Sequence, residues 1–235
     1  LLFEAGLGGS LYAHWPLVRL VLQRARLAAV HSTALAAGLQ ETCGIDVAGV
    51  PMGVADPLDP PPAVSAAAIR ARHGVPPDAV VVGAFGGVTP EKRLPELLGA
   101  VAALAGREPR LHVLVVGARA AHYDVTADAA DRGLEGRVHV TGFVDEAELG
   151  AYLAATDIGA CLRWPSNGET SASWWRAMAA GKATIITDLA HQPELPVLDP
   201  RGWRVLGPAG MAPVAVAIPI LDEHHTLVAA LDALA

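Results

Sequence analysis

The sequence predicts an α/β fold built on a mainly parallel sheet with helices on both faces. Two observations carry this. Short, continuous apolar runs alternate with amphipathic helical segments from residue 79 onward, the pattern of strands buried on both sides. The chain has 235 residues of which 52% are hydrophobic, enough to bury a sizeable core as one large domain or two small ones.

Taken in order, residues 17–27 carry a helical pattern with Leu17, Leu20, Val21, Arg24 and Leu27 on one side. A short strand fits Ala28-Ala29-Val30, and a second helix follows to about Leu39, with Ser32 or Thr33 as its cap. Four prolines then fall at Pro57, Pro60, Pro61 and Pro62. They exclude a helix or a central strand and mark a linker or stiff crossover. Beyond it, residues 80–85 form the first strand of a regular series, passing through a glycine turn into a helix over residues 90–105. Strands are expected at residues 111–116, 138–141, 158–162 and 183–187, with a candidate sixth at 214–218. Helices are expected over residues 146–155 and 172–180, the latter ended by Gly181, and from Glu223 onward. In such a sheet, ligands sit outside the carboxyl ends of the strands, where strand order reverses.

Composition narrows the function. Seventeen Lys and Arg against 24 Asp and Glu give a net charge of −7, and no basic cluster exceeds two residues, which speaks against a polyanion binder and gives no nucleic-acid partner. Lys92 and Lys182 are the chain's lysines. Cys43 and Cys161 lack metal-ligand spacing and read as buried thiols. The longest apolar stretches are about half of a membrane span and contain Gly or Pro, so no transmembrane segment is expected and the expected location is cytoplasmic. A start without Met and a stop inside a periodic segment read as cuts in a longer protein, and any peripheral membrane contact would belong to the parts beyond.

Two loops carry candidate chemistry. In Phe85-Gly86-Gly87-Val88-Thr89-Pro90-Glu91-Lys92-Arg93, glycines allow close backbone approach, Thr89 and Pro90 suit a helix start, and Lys92 or Arg93 adds a cation for a phosphate. The same residues also read as a capped helix with a solvated basic pair. Neither G-x-G-x-x-G nor a P-loop pattern is present there, and Gly6-Leu7-Gly8-Gly9 lacks a preceding strand. In Pro165-Ser166-Asn167-Gly168-Glu169-Thr170-Ser171, a carboxylate beside hydroxyls and helix-start amides suits a polyhydroxylated ligand, or else simple capping. Trp174 and Trp175 cannot share one helical direction, so one is expected in the core and the other at a boundary. His14 is a weak local candidate for a reactive histidine, His31 reads as a buried hinge residue, and His224 and His225 as solvated.

The ordered set Pro51-Met52-Gly53-Val54, Phe85 through Arg93, Val115-Val116-Gly117, Val138 through Val144, Pro165 through Ser171 and Arg176 through Lys182, extending to Asp188 and Glu194-Leu195-Pro196, resembles the carboxyl-terminal half of family 4 glycosyltransferases of the GT-B fold. The likeness covers residues 51 to about 196. It implies a Rossmann-like, donor-binding domain at 63–235, a linker at 51–62, and part of an acceptor-side Rossmann-like domain at 1–50. It also implies a retaining, metal-independent transfer of a sugar from a nucleotide-diphosphate sugar to a carbohydrate, lipid or small-molecule acceptor, with no cofactor and no metal site. A non-catalytic nucleotide-sugar-binding module, or an epimerase or phosphorylase on the same architecture, are the rivals. By this resemblance Gly86, Gly87, Lys92 and Arg93 hold the diphosphate. Gly142, Phe143 and Val144 receive the nucleobase, and Glu169, Thr170 and Ser171 serve the donor sugar. Lys92 and Glu169 are the expected catalytic residues. Two positions depart from the family: the usual arginine falls on Gly87, and the second of two customary acids falls on Arg176, which cannot accept from ribose hydroxyls.

Overall fold

A computed structural model describes residues 18–121, 123–165, 170–188 and 195–235. The expectations placed on Leu17, Gly6 to Gly9, His14, Ser166 to Glu169 and Glu194 lie outside these residues.

Along the chain, a five-residue helix α1 (Val18–Leu22) precedes β1 (Ala29–Val30) and α2 (Thr33–Cys43). Ser32 caps α2 by accepting from the Leu35 N–H, and Gly44 ends it in the left-handed conformation. β2 (Ala48–Gly49) pairs in parallel with β1 as a separate two-stranded sheet. Ala36, Leu39 and Val47 form its small core. The helix expected over 17–27 is shorter, because Leu20, Val21 and Leu27 are exposed and offer it no face to bury.

After the prolines come α3 (Ala66–Arg72), β3 (Val80–Phe85), a 3₁₀ turn (Pro90–Lys92), α4 (Leu94–Leu104), β4 (Leu111–Val116), α5 (Val125–Asp131), β5 (Val138–Gly142), α6 (Glu146–Ala154) and β6 (Ile158–Cys161). Then follow α7 (Ala172–Ala179), β7 (Ala183–Thr187), β8 (Val197–Asp199), β9 (Arg204–Leu206), β10 (Val216–Ile218) and α8 (Glu223–Leu234). These strands form one eight-stranded sheet in the order β5-β4-β3-β6-β7-β10-β8-β9, parallel except for the β8–β9 hairpin at its edge. Both faces are covered. One carries α4, α5 and α8 through Leu97, Leu98, Val101, Val125, Leu227 and Leu231. The other carries α3, α6 and α7 through Ile69, Leu153 and Trp174.

The alternation in β3 explains this double burial, since Val82 and Ala84 face the first layer while Val81 and Phe85 face the second. Trp174 is buried, donating from Nε1 to Thr184 Oγ1 at 3.1 Å, while Trp175 is intermediate, in line with the expected division of the pair. Cys43 and Cys161 are free and buried, and burial pushes the Cys161 thiol up to about 12, which keeps it protonated and unreactive.

Two further expectations are corrected. His31 is exposed rather than buried, its Nδ1 lying 3.0 Å from the Val50 carbonyl oxygen. The helix over 90–105 is not continuous: Arg93 sits at φ 55°, ψ 35° between the 3₁₀ turn and α4. A left-handed residue cannot propagate a helix, so Lys92 belongs to the turn and α4 starts afresh at Leu94.

Candidate active site

From β3 the chain runs through β4 to β5 on one side and returns to β6 on the other, so strand order reverses beside β3. The loops after β3 and β6 therefore diverge and leave a crevice at their carboxyl ends. A cleft of about 610 Å³ occupies it, lined by the β3 loop (Gly86, Gly87, Lys92), the β4 loop (Gly117), the β5 loop (Phe143, Val144) and the start of α7 (Thr170, Ser171, Ser173).

Backbone contacts fix these loops. A Cβ on Gly117 would lie 1.9 Å from the Gly86 carbonyl oxygen, so the two loops touch main chain to main chain. The Val88 N–H donates to the Ala118 carbonyl at 3.0 Å, tying the loop after β4 to the segment that follows the two glycines, and the Trp164 N–H donates to the Glu91 carbonyl at 2.8 Å, tying the loop after β6 to the 3₁₀ turn. Gly86 stands at φ 105°, a region closed to most side chains, and Lys92 Nζ comes within 3.3 Å of where its Cβ would be. The ammonium is thus laid across the glycine turn. Glu91, the adjacent acid, is held below its ordinary value by its own backbone N–H, with Thr89 and the Arg163 and Lys92 charges adding to the effect.

At the other wall, Ser171 caps α7 by accepting from the Trp174 N–H at 3.4 Å, and its hydroxyl lies 3.1 Å from that of Ser173. The amides of this first turn and the helix dipole favour an anionic or carbonyl oxygen. Phe143 is 77% exposed at the rim, beside Gly142 at φ 78°. The cleft therefore offers a cation on a glycine turn, helix-start donors and an open aromatic face.

The structure brings Gly86, Gly87, Lys92, Phe143, Val144, Thr170 and Ser171 to one cleft, and Gly142 stands next to it in the chain. It does not bring Arg93. That guanidinium donates from Nε to Glu223 Oε1 at 3.0 Å, with Nη2 also paired to Glu223, and lies 3.0 Å from Glu96. The left-handed backbone turns Arg93 away from the cleft and onto α8, so it ties helices together instead of replacing a missing phosphate contact. Glu169 lies outside the described residues.

Several lining residues had no place in the expected site, Arg163, Gly117 and Glu146 among them. Arg163 directly follows the fourth strand of the regular series, a position that the carboxyl-end rule could have flagged. Gly117 directly follows β4 in the same way. Glu146, paired with Arg176 at 2.7 Å, could not be found from spacing, because its partner is thirty residues away. Among the described residues no cluster of His, Cys, Asp and Glu is arranged to hold a metal ion, and no helix is long and apolar enough to cross a membrane.

A family model described as glycosyl transferases group 1 matches residues 76–217. The 2-deoxystreptamine glucosyltransferase of Streptomyces kanamyceticus is 34% identical over 134 residues, covering 54% of this chain and 34% of that protein. The chain thus spans about a third of the length of this curated relative. Among solved structures, WaaG, a glycosyltransferase involved in lipopolysaccharide biosynthesis, matches with TM-score 0.69 at 15% identity, over 99% of this chain and 62% of its own. Anabaena HepE in complex with UDP and glucose gives 0.67 at 19%, over 94% and 58%. Sucrose-phosphate synthase from Thermosynechococcus elongatus gives 0.66 at 20%, over 92% and 50%. At these identities the likeness is one of fold, and that fold is the GT-B type.

Proposed function

Since the chain belongs to the glycosyl transferases group 1 family, we propose that it binds a nucleotide-diphosphate sugar in the cleft at the β3–β6 crevice and takes part in retaining, metal-independent transfer of the sugar to a carbohydrate, lipid or small-molecule acceptor. The observation that carries this reading is the meeting of Lys92, the Gly86-Gly87 turn and the α7 start in one cleft.

In this reading the diphosphate lies on the glycine turn. Its charge grows as the bond to the sugar breaks, and Lys92 and the fixed amide dipoles stabilise that charge without reorganising. Phe143 and the Gly142–Val144 loop receive the base. Glu169, Thr170 and Ser171 hold the sugar hydroxyls, an accepting carboxylate being suited to that task. Residues 63–235 serve as the donor-binding domain, residues 51–62 as the crossover, and residues 1–50 as part of an acceptor-side domain. The S. kanamyceticus relative is named for a glucosyl transfer, which makes UDP-glucose the first donor to try.

The test pairs calorimetric binding of UDP-, GDP-, ADP- and dTDP-sugars with a product assay. Binding with transfer to an added acceptor supports the proposal. Binding with no turnover points to a sugar-nucleotide-binding module, and turnover without acceptor, or only with inorganic phosphate, to an epimerase or phosphorylase. Glu169→Gln is expected to keep the nucleotide and to lower turnover roughly ten- to a thousandfold.

A further inference from the structure

The cleft contains a charged pair that the proposed phosphate and sugar contacts leave unused. Arg176 on α7 donates from Nη2 to Glu146 Oε1 on the first turn of α6 at 2.7 Å. The side chains are 37% and 74% exposed, and ion pairs this open contribute little to folding. Among the described residues, the bond from Arg176 is the one that the Glu146 carboxylate accepts. A carboxylate has about four acceptor sites on two oxygens, so most of its capacity is open to solvent at the rim between this cleft and the cavity beside the proline-rich crossover. Arg176 has none, because a guanidinium only donates.

Three neighbouring features complete the picture. Phe143 stands three residues before Glu146 on the loop leading into α6, and its exposed ring can stack on a flat heterocycle. Lys92 and the glycine turn line the same cleft. The Arg176 fork also fixes the direction of the carboxylate, which would otherwise sample many rotamers on an open helix start.

Resting on the reading of this cleft as a nucleotide-sugar site, we propose that Glu146, oriented by Arg176, accepts hydrogen bonds from the ribose hydroxyls of the donor and selects ribonucleotides over deoxyribonucleotides. The acceptor that Arg176 cannot supply from α7 is then delivered from α6, across the ion pair. Glu146 is a specificity-determining residue in this scheme and Arg176 a positioning residue.

The experiment measures dissociation constants of UDP, GDP and ADP, then of the 2′-deoxy and 3′-deoxy forms of whichever binds tightest. The protein is expected to prefer the ribonucleotide by about tenfold or more over at least one deoxy form, the scale of one charge-assisted hydrogen bond. Glu146→Gln is expected to shrink that preference to within about twofold. Glu148→Gln, on the same helix but paired with Arg72 at 3.1 Å and outside the cleft, is expected to keep it. If Glu146→Gln preserves the wild-type preference, or the wild type shows none while still binding nucleotide, the Glu146 assignment falls and the nucleotide site stands. If no nucleotide binds the wild type, both fall together.

Discussion

Removing the Lys92 ammonium tests the site most directly. Lys92 is half-buried on a 3₁₀ turn, its Nζ placed against Gly86, and a bound diphosphate on that turn would receive one charge-assisted hydrogen bond from it. Such a bond contributes about 1.5–3 kcal/mol. The lower half of the range applies, because the ammonium is partly solvated and the turn amides and α7 start share the load. Lys92→Ala should therefore weaken nucleotide-diphosphate binding by about 1.5–2 kcal/mol, roughly ten- to thirtyfold. Titration calorimetry with UDP at two salt concentrations reads this, and the salt dependence of the affinity should shrink with the lost charge. The chain provides its own control. Lys182, the other lysine, reaches the Ala154 carbonyl at 3.4 Å away from the cleft, and Lys182→Ala should leave the affinity unchanged. A Lys92→Ala variant that stays folded and binds as the wild type does would refute the placement of phosphate on the glycine turn.

Three further outcomes follow from particular contacts. Arg93→Met should cost about 2–3 kcal/mol of stability by stranding Glu223, whose side chain is 9% exposed, while nucleotide affinity holds; a selective loss of affinity in urea-matched conditions would contradict it. Gly117→Ala should lower both the melting temperature and nucleotide affinity, since its Cβ would meet backbone at 1.9 Å and overpacking costs about 1–3 kcal/mol; an unperturbed variant would disprove the rigid loop contact. The His112 and His139 rings stack with Nδ1 and Nε2 3.1 Å apart, and burial holds both below the ordinary value of 6.5. Arg137 and Asp78 face His112, and His73 faces His139. His73 is itself lowered, by burial first and then by Arg72. Because the folded pKa values are depressed, the unfolded chain binds more protons as pH falls through 6.5, so stability is full above that pH and declines below it. The urea midpoint should drop between pH 7.5 and 5.5, and less steeply in His139→Gln; equal slopes would exclude the pair as the source.

What the sequence made legible was periodic or punctuated. The run from Val80 to Phe85 is apolar on both pleat faces, and Gly86-Gly87 ends it, so strand, turn and cleft position could all be read. The weak elements could not. α3 (AAAIRAR) and α5 (VTADAAD) are alanine-rich, burying Ile69 in one case and Val125 and Ala129 in the other, which leaves little moment to detect. β8 and β9 are three residues each and pair antiparallel at the sheet edge, too short for alternation to register. The site divides the same way. Lys92 follows locally from the glycine turn, whereas the fate of Arg93 depends on Glu223, 130 residues away, and that of Arg176 on Glu146. Local spacing says nothing about which distant charge a sheet will bring alongside.

The contact between the crossover and α6 has a mechanical consequence. A Cβ on Gly150 would lie 2.3 Å from the Pro57 carbonyl oxygen and 3.3 Å from the Pro62 ring, so the prolines lie flush on the helix that also bears Glu146. A proline-rich turn pressed onto a helix behaves as a splint, and a swing of the preceding segment meets least resistance upstream of Pro57, where Gly53 has open space around it. A bend there would turn residues 18–50 as a lever about a short axle, while the wall of the nucleotide cleft stays still.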